Sequence, residues 1–103
     1  MNIQINTDNN VQHDDSVVRH VEAMVEQHLG RYTPQLARVE VHLRDENAGK
    51  GGARDKHCLM EARLDGRPPV TASDDAGELA VAITGAAKKL QRALDSALGK
   101  LGH

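Results

Sequence analysis

The chain has 103 residues and no Phe or Trp, so it fits one domain (1–103) whose modest core is left to Val, Leu, Ile, Ala and Met. Thirteen Lys and Arg face fifteen Asp and Glu, a net charge of −2, which argues against a generally basic nucleic-acid binder. Tyr32 is the sole aromatic, which removes the stacking platforms many single-strand binders use, and Cys58 is the sole cysteine, which excludes an intramolecular disulfide. The N-terminus has neither a basic n-region nor an apolar h-region, and no apolar run approaches membrane-spanning length. The cytoplasm is the expected compartment.

Ile3-Gln4-Ile5-Asn6 alternates apolar and polar residues and predicts a short strand, followed by turn chemistry at Thr7-Asp8-Asn9-Asn10. Asp14 or Asp15 then offers an N-cap. Val17, Val21, Val25 and Leu29 recur at helical spacing, with Gly30 as the stop and Pro34 barring early resumption. Val39, Val41 and Leu43 alternate with Glu40, His42 and Arg44, the pattern of a strand wet on one face. Asn47 to Gly52 reads as a hairpin loop. Cys58, Met60, Ala62 and Leu64 form the apolar face of a third strand. A turn at Asp65-Gly66-Arg67-Pro68-Pro69 leads to a short fourth strand starting at Val70-Thr71-Ala72. Asp75 and Glu78 fit a capping box for the last helix. Its stripe runs through Leu79, Ile83, Ala86, Leu90, Leu94, Ala97 and Leu101. The order β-α-β-β-β-α, with one apolar face per element, predicts an α+β fold: a four-stranded sheet with two helices packed on one face.

Chemistry-bearing residues do not assemble into a catalytic constellation. His20 and His28 point roughly 80° apart on a helix of 3.6 residues per turn. His57 and Cys58 point to opposite faces of a strand. There is no HxxxH or CxxC spacing, so the sequence assigns no metal site and no cofactor. Cys58 falls in register with Met60 and Ala62, which makes it core rather than nucleophile. Gly49-Lys50-Gly51-Gly52 lacks the spacing of a phosphate loop. Asp14-Asp15 and Asp74-Asp75 read as helix caps rather than a carboxylate pair. The reading is a binding protein, not an enzyme.

Charge is uneven along the chain. Residues 88–101 carry Lys88, Lys89, Arg92 and Lys100 against Asp95 alone. Ile5-Asn6-Thr7-Asp8-Asn9-Asn10-Val11 resembles the opening strand and turn of the ribosome hibernation-promoting factor and ribosome-associated inhibitor A family. Tyr32 and Val39-Glu40-Val41-His42-Leu43 resemble its second strand. Val70-Thr71-Ala72-Ser73, then Leu79, Ala82-Ile83, Lys89-Leu90, Arg92 and Leu94, resemble its closing strand and helix.

The resemblance implies a fold similar to double-stranded-RNA-binding domains, and a partner: the small ribosomal subunit, held in the mRNA and tRNA channel, where occupation blocks translation and stores idle ribosomes. Ending at residue 103, the chain resembles the short, single-domain type. Lys89, Arg92 and Lys100 fall on positions that are basic in typical members, and Lys88 extends the stripe. Arg19 and Arg31, in or beside the first helix, are further candidates for the patch. Lys50, Arg54 and Lys56 are expected in a loop within reach of RNA. Two departures thin the pattern: Asp95, Ser96 and Leu98 occupy a turn where typical members carry Lys and Arg, and Met24, Val25 and His28 stand where typical first helices carry lysines. A rival reading is therefore a diverged protein-interaction module on the same scaffold, with an exposed sheet edge available for homodimerisation by strand pairing.

Overall fold

A computed structural model describes residues 1–8, 11, 14–45 and 55–99. Strand β1 (Ile3–Thr7) leads to helix α1 (Asp15–Leu29), a 3₁₀ helix (Gly30–Gln35), strands β2 (Leu36–Asp45), β3 (Lys56–Leu64) and β4 (Val70–Ala76), and helix α2 (Leu79–Leu98). The sheet order is β1-β2-β3-β4. β1 runs parallel to β2, and the other neighbours are antiparallel. This is the α+β arrangement expected from the sequence.

Period-two alternation decides which side of the sheet is covered. Val39, Val41 and Leu43 of β2 face Ala62, Met60 and Cys58 of β3 in register, and all six are buried. The helices close this face with Val21, Val25 and Leu29 from α1 and Ala82, Ile83, Ala86, Ala87, Leu90 and Leu94 from α2. The other face carries Arg38, Glu40, His42 and Arg44 on β2 and His57, Leu59, Glu61 and Arg63 on β3. It is open to solvent.

Asp14 caps α1, its carboxylate accepting from the Val17 N–H at 3.0 Å. The α-helix ends at Leu29, as Gly30 suggests, but Gly30 keeps right-handed helical angles. The chain tightens there into the 3₁₀ turn, with Pro34 inside it. Proline's fixed φ suits a short helical turn in which few N–H groups need partners.

Two expectations need correction. The fourth strand, which starts at Val70 as expected, is longer than the short one foreseen and takes in the expected helix cap. It continues through Ser73, Asp74 and Asp75 to Ala76, paired with β3 down to Lys56. Asp75 is thus a strand residue bonded to His57 on the outer face, and not a helix cap. Glu78 holds the N-cap position of α2 without a side-chain cap bond. Lys56 does not lie in a loop. It opens β3, and its ammonium is held by Asp45 at 2.9 Å and by Asp55 at 3.1 Å. Those bonds raise the Lys56 pKa, and the Lys56 bond lowers that of Asp55 despite burial. The expected loop at Asn47 to Gly52, with Lys50 and Arg54, lies outside the described residues.

Asp74 occupies an inward-facing position opposite Cys58. Its carboxylate lies against the backbone of Gly85 on α2: a Cβ added there would stand 1.8 Å from Asp74 Oδ2 and 2.7 Å from its Cγ. Gly85, which weakens the helix by propensity, is therefore the gap that lets an acidic side chain sit between strand and helix. From there Asp74 accepts a bond from Lys89 at 2.9 Å.

Gly85→Ala is expected to destabilise the native protein, because the gain of about 1 kcal/mol in helix propensity is outweighed by displacement of Asp74. In an Asp74→Ala background, where only the 3.2 Å approach to the residue-74 Cβ remains, the same change is expected to be clearly less destabilising than in the native protein. Urea unfolding of the four variants measures both effects, and equal effects in the two backgrounds would refute the packing argument. Burial, with the Asp74 charge adding, pushes the Cys58 thiol up to about 12. Cys58 should consequently react with a disulfide reagent at neutral pH only as fast as the protein opens, and rapidly in denaturant. A native-state rate equal to that of a free peptide thiol would contradict this.

Candidate nucleic-acid interface

The two helices lie side by side and run the same way, which follows from the bonds that join them. His20 Nε2 lies 3.0 Å from the Ala80 carbonyl oxygen and 3.0 Å from the Thr84 hydroxyl. Nearly two turns on, His28 Nδ1 donates to Gln91 Oε1 at 2.9 Å. Beyond the end of α1, the buried Tyr32 hydroxyl donates to Asp95. That bond, reinforced by burial, raises the Tyr32 pKa. Two of the three polar rungs use residues that depart from the expected basic pattern: His28 and Asp95 each tie one helical segment to the other.

The expected basic residues divide by what holds them. Lys88 and Arg92 are exposed, one turn apart on α2, and Arg19 is exposed on α1. None of the three has an ion-pair partner among the described residues. Lys89 is half-exposed but bound to Asp74 at 2.9 Å. Arg31 is two-thirds exposed, 3.9 Å from Asp95, with its guanidinium 5.3 Å from the Tyr32 ring centre. Lys100 lies outside the described residues. Three of the six are thus available cations, two are partly neutralised, and both neutralising acids also anchor the fold. Beside Lys88, a shallow depression is lined by His20, Ala80, Val81 and Thr84, and Val81 is exposed at its edge. Val81 was not singled out in the sequence because its position lies off the core stripe.

A second gathering of functional groups lies on the open face of the sheet. Glu40, His42 and Glu61 bring one ligand atom each within 4.8 Å of one another. Arg38 and Arg63 flank them, and the bond from Arg38 holds the Glu40 carboxyl below the usual range. Sequence spacing does not reveal this trio, because Glu61 joins the other two only through the β2–β3 register. None of the described helices is long and apolar enough to cross a membrane.

Solved structures with the same architecture include the N-terminal domain of Protein Y from Thermus thermophilus. It is 25% identical, with a TM-score of 0.71 over 89% of this chain and 93% of that one. A ribosomal subunit interface protein from Coxiella burnetii is 15% identical, with a TM-score of 0.70 over 99% of this chain and 98% of that one. No curated protein sequence matches the chain significantly. The family model described as sigma 54 modulation protein / S30EA ribosomal protein matches residues 3–101. With nearly its whole length so matched, and with the sheet order and helices in place, the chain belongs to the sigma 54 modulation protein / S30EA ribosomal protein family.

Proposed function

We propose that this protein binds the small ribosomal subunit through the solvent side of α1 and α2, occupies the mRNA and tRNA channel, and so blocks translation and holds ribosomes in hibernation during stress or stationary phase. The observation that carries the reading is the pair Lys88 and Arg92. They are exposed one turn apart, without an ion-pair partner among the described residues, on the last helix of a chain of this family. Arg19 adds a third cation on the neighbouring helix. The Coxiella burnetii neighbour is named a ribosomal subunit interface protein, which supports a ribosomal partner.

Folded ribosomal RNA is recognised largely by its shape and backbone, so the protein needs cations in fixed positions more than aromatic platforms. Lys88 and Arg92 replace phosphate counterions, and each contact adds about 0.7–0.9 to the salt slope. The depression beside Lys88, with Val81 at its rim, offers an apolar floor for a ribose or base edge. Binding to ribosomes places the protein in the cytoplasm, and the reading needs no cofactor.

Co-sedimentation with purified small subunits tests the proposal. The native protein is expected to pellet with subunits at about 50 mM salt and to be largely released at about 200 mM. Lys88→Glu with Arg92→Glu should remain in the supernatant at both. Failure of the native protein to pellet at low salt, or pelleting by the double variant, overturns the reading. A non-ribosomal partner captured after nuclease treatment, together with no pelleting, points to the protein-interaction module instead.

Asp74→Asn supplies an opposite-sign test. The substitution keeps the shape against Gly85 and removes the charge that neutralises Lys89. Affinity for small subunits should rise, and the logarithmic salt slope should steepen by about 0.7–0.9. An unchanged slope would mean that Lys89 does not reach a phosphate.

A further inference from the structure

On the outer face of the sheet, Glu40 stands directly opposite Glu61 in the β2–β3 register, and Arg38 stands opposite Arg63. Like charges directly opposite each other are unfavourable. The arginines resolve the conflict through one oxygen of each glutamate only. Arg38 Nε lies 2.7 Å and Arg63 Nε 3.4 Å from Glu40 Oε2, and Arg63 Nη2 lies 3.3 Å from Glu61 Oε2.

The remaining oxygens, Oε1 of both glutamates, turn toward His42 Nε2, at 3.8 Å from Glu40 and 3.3 Å from Glu61. That nitrogen is shut off from solvent and makes no hydrogen bond. A ring nitrogen shut off from solvent and lacking a hydrogen bond calls for an explanation. Here it faces two carboxylate oxygens that are themselves held by their other atoms.

We propose that Glu40, His42 and Glu61 form a binding site for a divalent transition-metal ion, with zinc as the ion best matched to the donor set. Zinc bonds of about 2.0–2.2 Å to nitrogen and oxygen in a tetrahedron place neighbouring donors roughly 3.3 Å apart. One edge of the trio already has this length, the edge from His42 to Glu40 is 3.8 Å, and all three donor atoms lie within 4.8 Å of one another, so a bound ion would draw the carboxylates inward. Imidazole with two carboxylates suits zinc and neighbouring first-row ions, whereas magnesium and calcium prefer oxygen donors alone.

Arg38 orients Glu40 through the oxygen that does not ligate, as outer hydrogen-bond partners do in metal sites, and Arg63 adds charge close to both carboxylates. The charge of the two arginines also lowers affinity below that of a closed structural zinc site. Three protein ligands leave one position open on the exposed side of the sheet. Next to it is a depression lined by His42, Arg44, His57 and Leu59, where water or a partner's side chain completes the shell.

Titrating the untagged 103-residue chain with zinc chloride tests the site by calorimetry and by the ring-nitrogen resonances of the histidines. One equivalent of zinc is expected to bind, with the His42 signals shifting most. His42→Ala and Glu61→Gln should each weaken binding at least tenfold. His20→Ala, on the helical side of the protein, should leave zinc binding unchanged, and magnesium at the same concentrations should cause no shift of the His42 signals. Because Glu61→Gln is nearly isosteric, its thermal unfolding midpoint checks that the sheet is intact. Absence of binding at millimolar zinc, equal binding by native protein and His42→Ala, or equal response to magnesium would each overturn the proposal.

Discussion

Small side chains set the distance between the layers of this protein. With no Phe or Trp, the core cannot be filled by large plates, so the sheet and helices must approach closely. Ala62 on β3 and Ala82, Ala86 and Ala87 on α2 are completely buried, and they allow that approach. Gly85 carries it further, to the point where even one added carbon would overlap Asp74. The position of Lys89 then follows, because Asp74 reaches it across the glycine. A packing necessity in the core thereby determines which cations remain available on the surface.

The acidic residues of α2 and β4 act on the basic stripe one at a time. Asp95 joins Tyr32 and approaches Arg31, while Asp74 joins Lys89. Exposed ion pairs of this kind contribute little to stability. Their larger effect is on the surface potential. Under the proposed function, the weakly acidic net charge is therefore a poor guide to binding, because Lys88, Arg92 and Arg19 retain exposed charge while the neighbouring cations are restrained.

The strands β2 and β3 were legible because their two faces differ sharply: Val39, Val41 and Leu43 against Glu40, His42 and Arg44. The stripe of α2 was legible for the same reason at helical period. The second half of β4 was not. Ser73, Asp74 and Asp75 favour turns and caps in isolation, and only two tertiary partners make them strand residues: Gly85 receives Asp74 inside and His57 receives Asp75 outside. The basic candidates were legible as a stripe, but their ion-pair partners were not, since Asp74 reaches Lys89 from another element. Likewise Glu40, His42 and Glu61 converge only when the register of β2 against β3 is known.

That register has a consequence for how the sheet chooses its alignment. Sliding β3 by two residues along β2 would leave apolar side chains inside and place Glu40 opposite Arg63, an opposite-charge pair, in place of Glu61. The outer face by itself therefore favours a slipped alignment, and the native one rests on the fit of Val41 to Met60, Leu43 to Cys58 and the helices above them. In landscape terms this patch is locally frustrated within an otherwise consistent fold. Natural sequences break local consistency mainly at functional sites and offset the cost elsewhere in the fold.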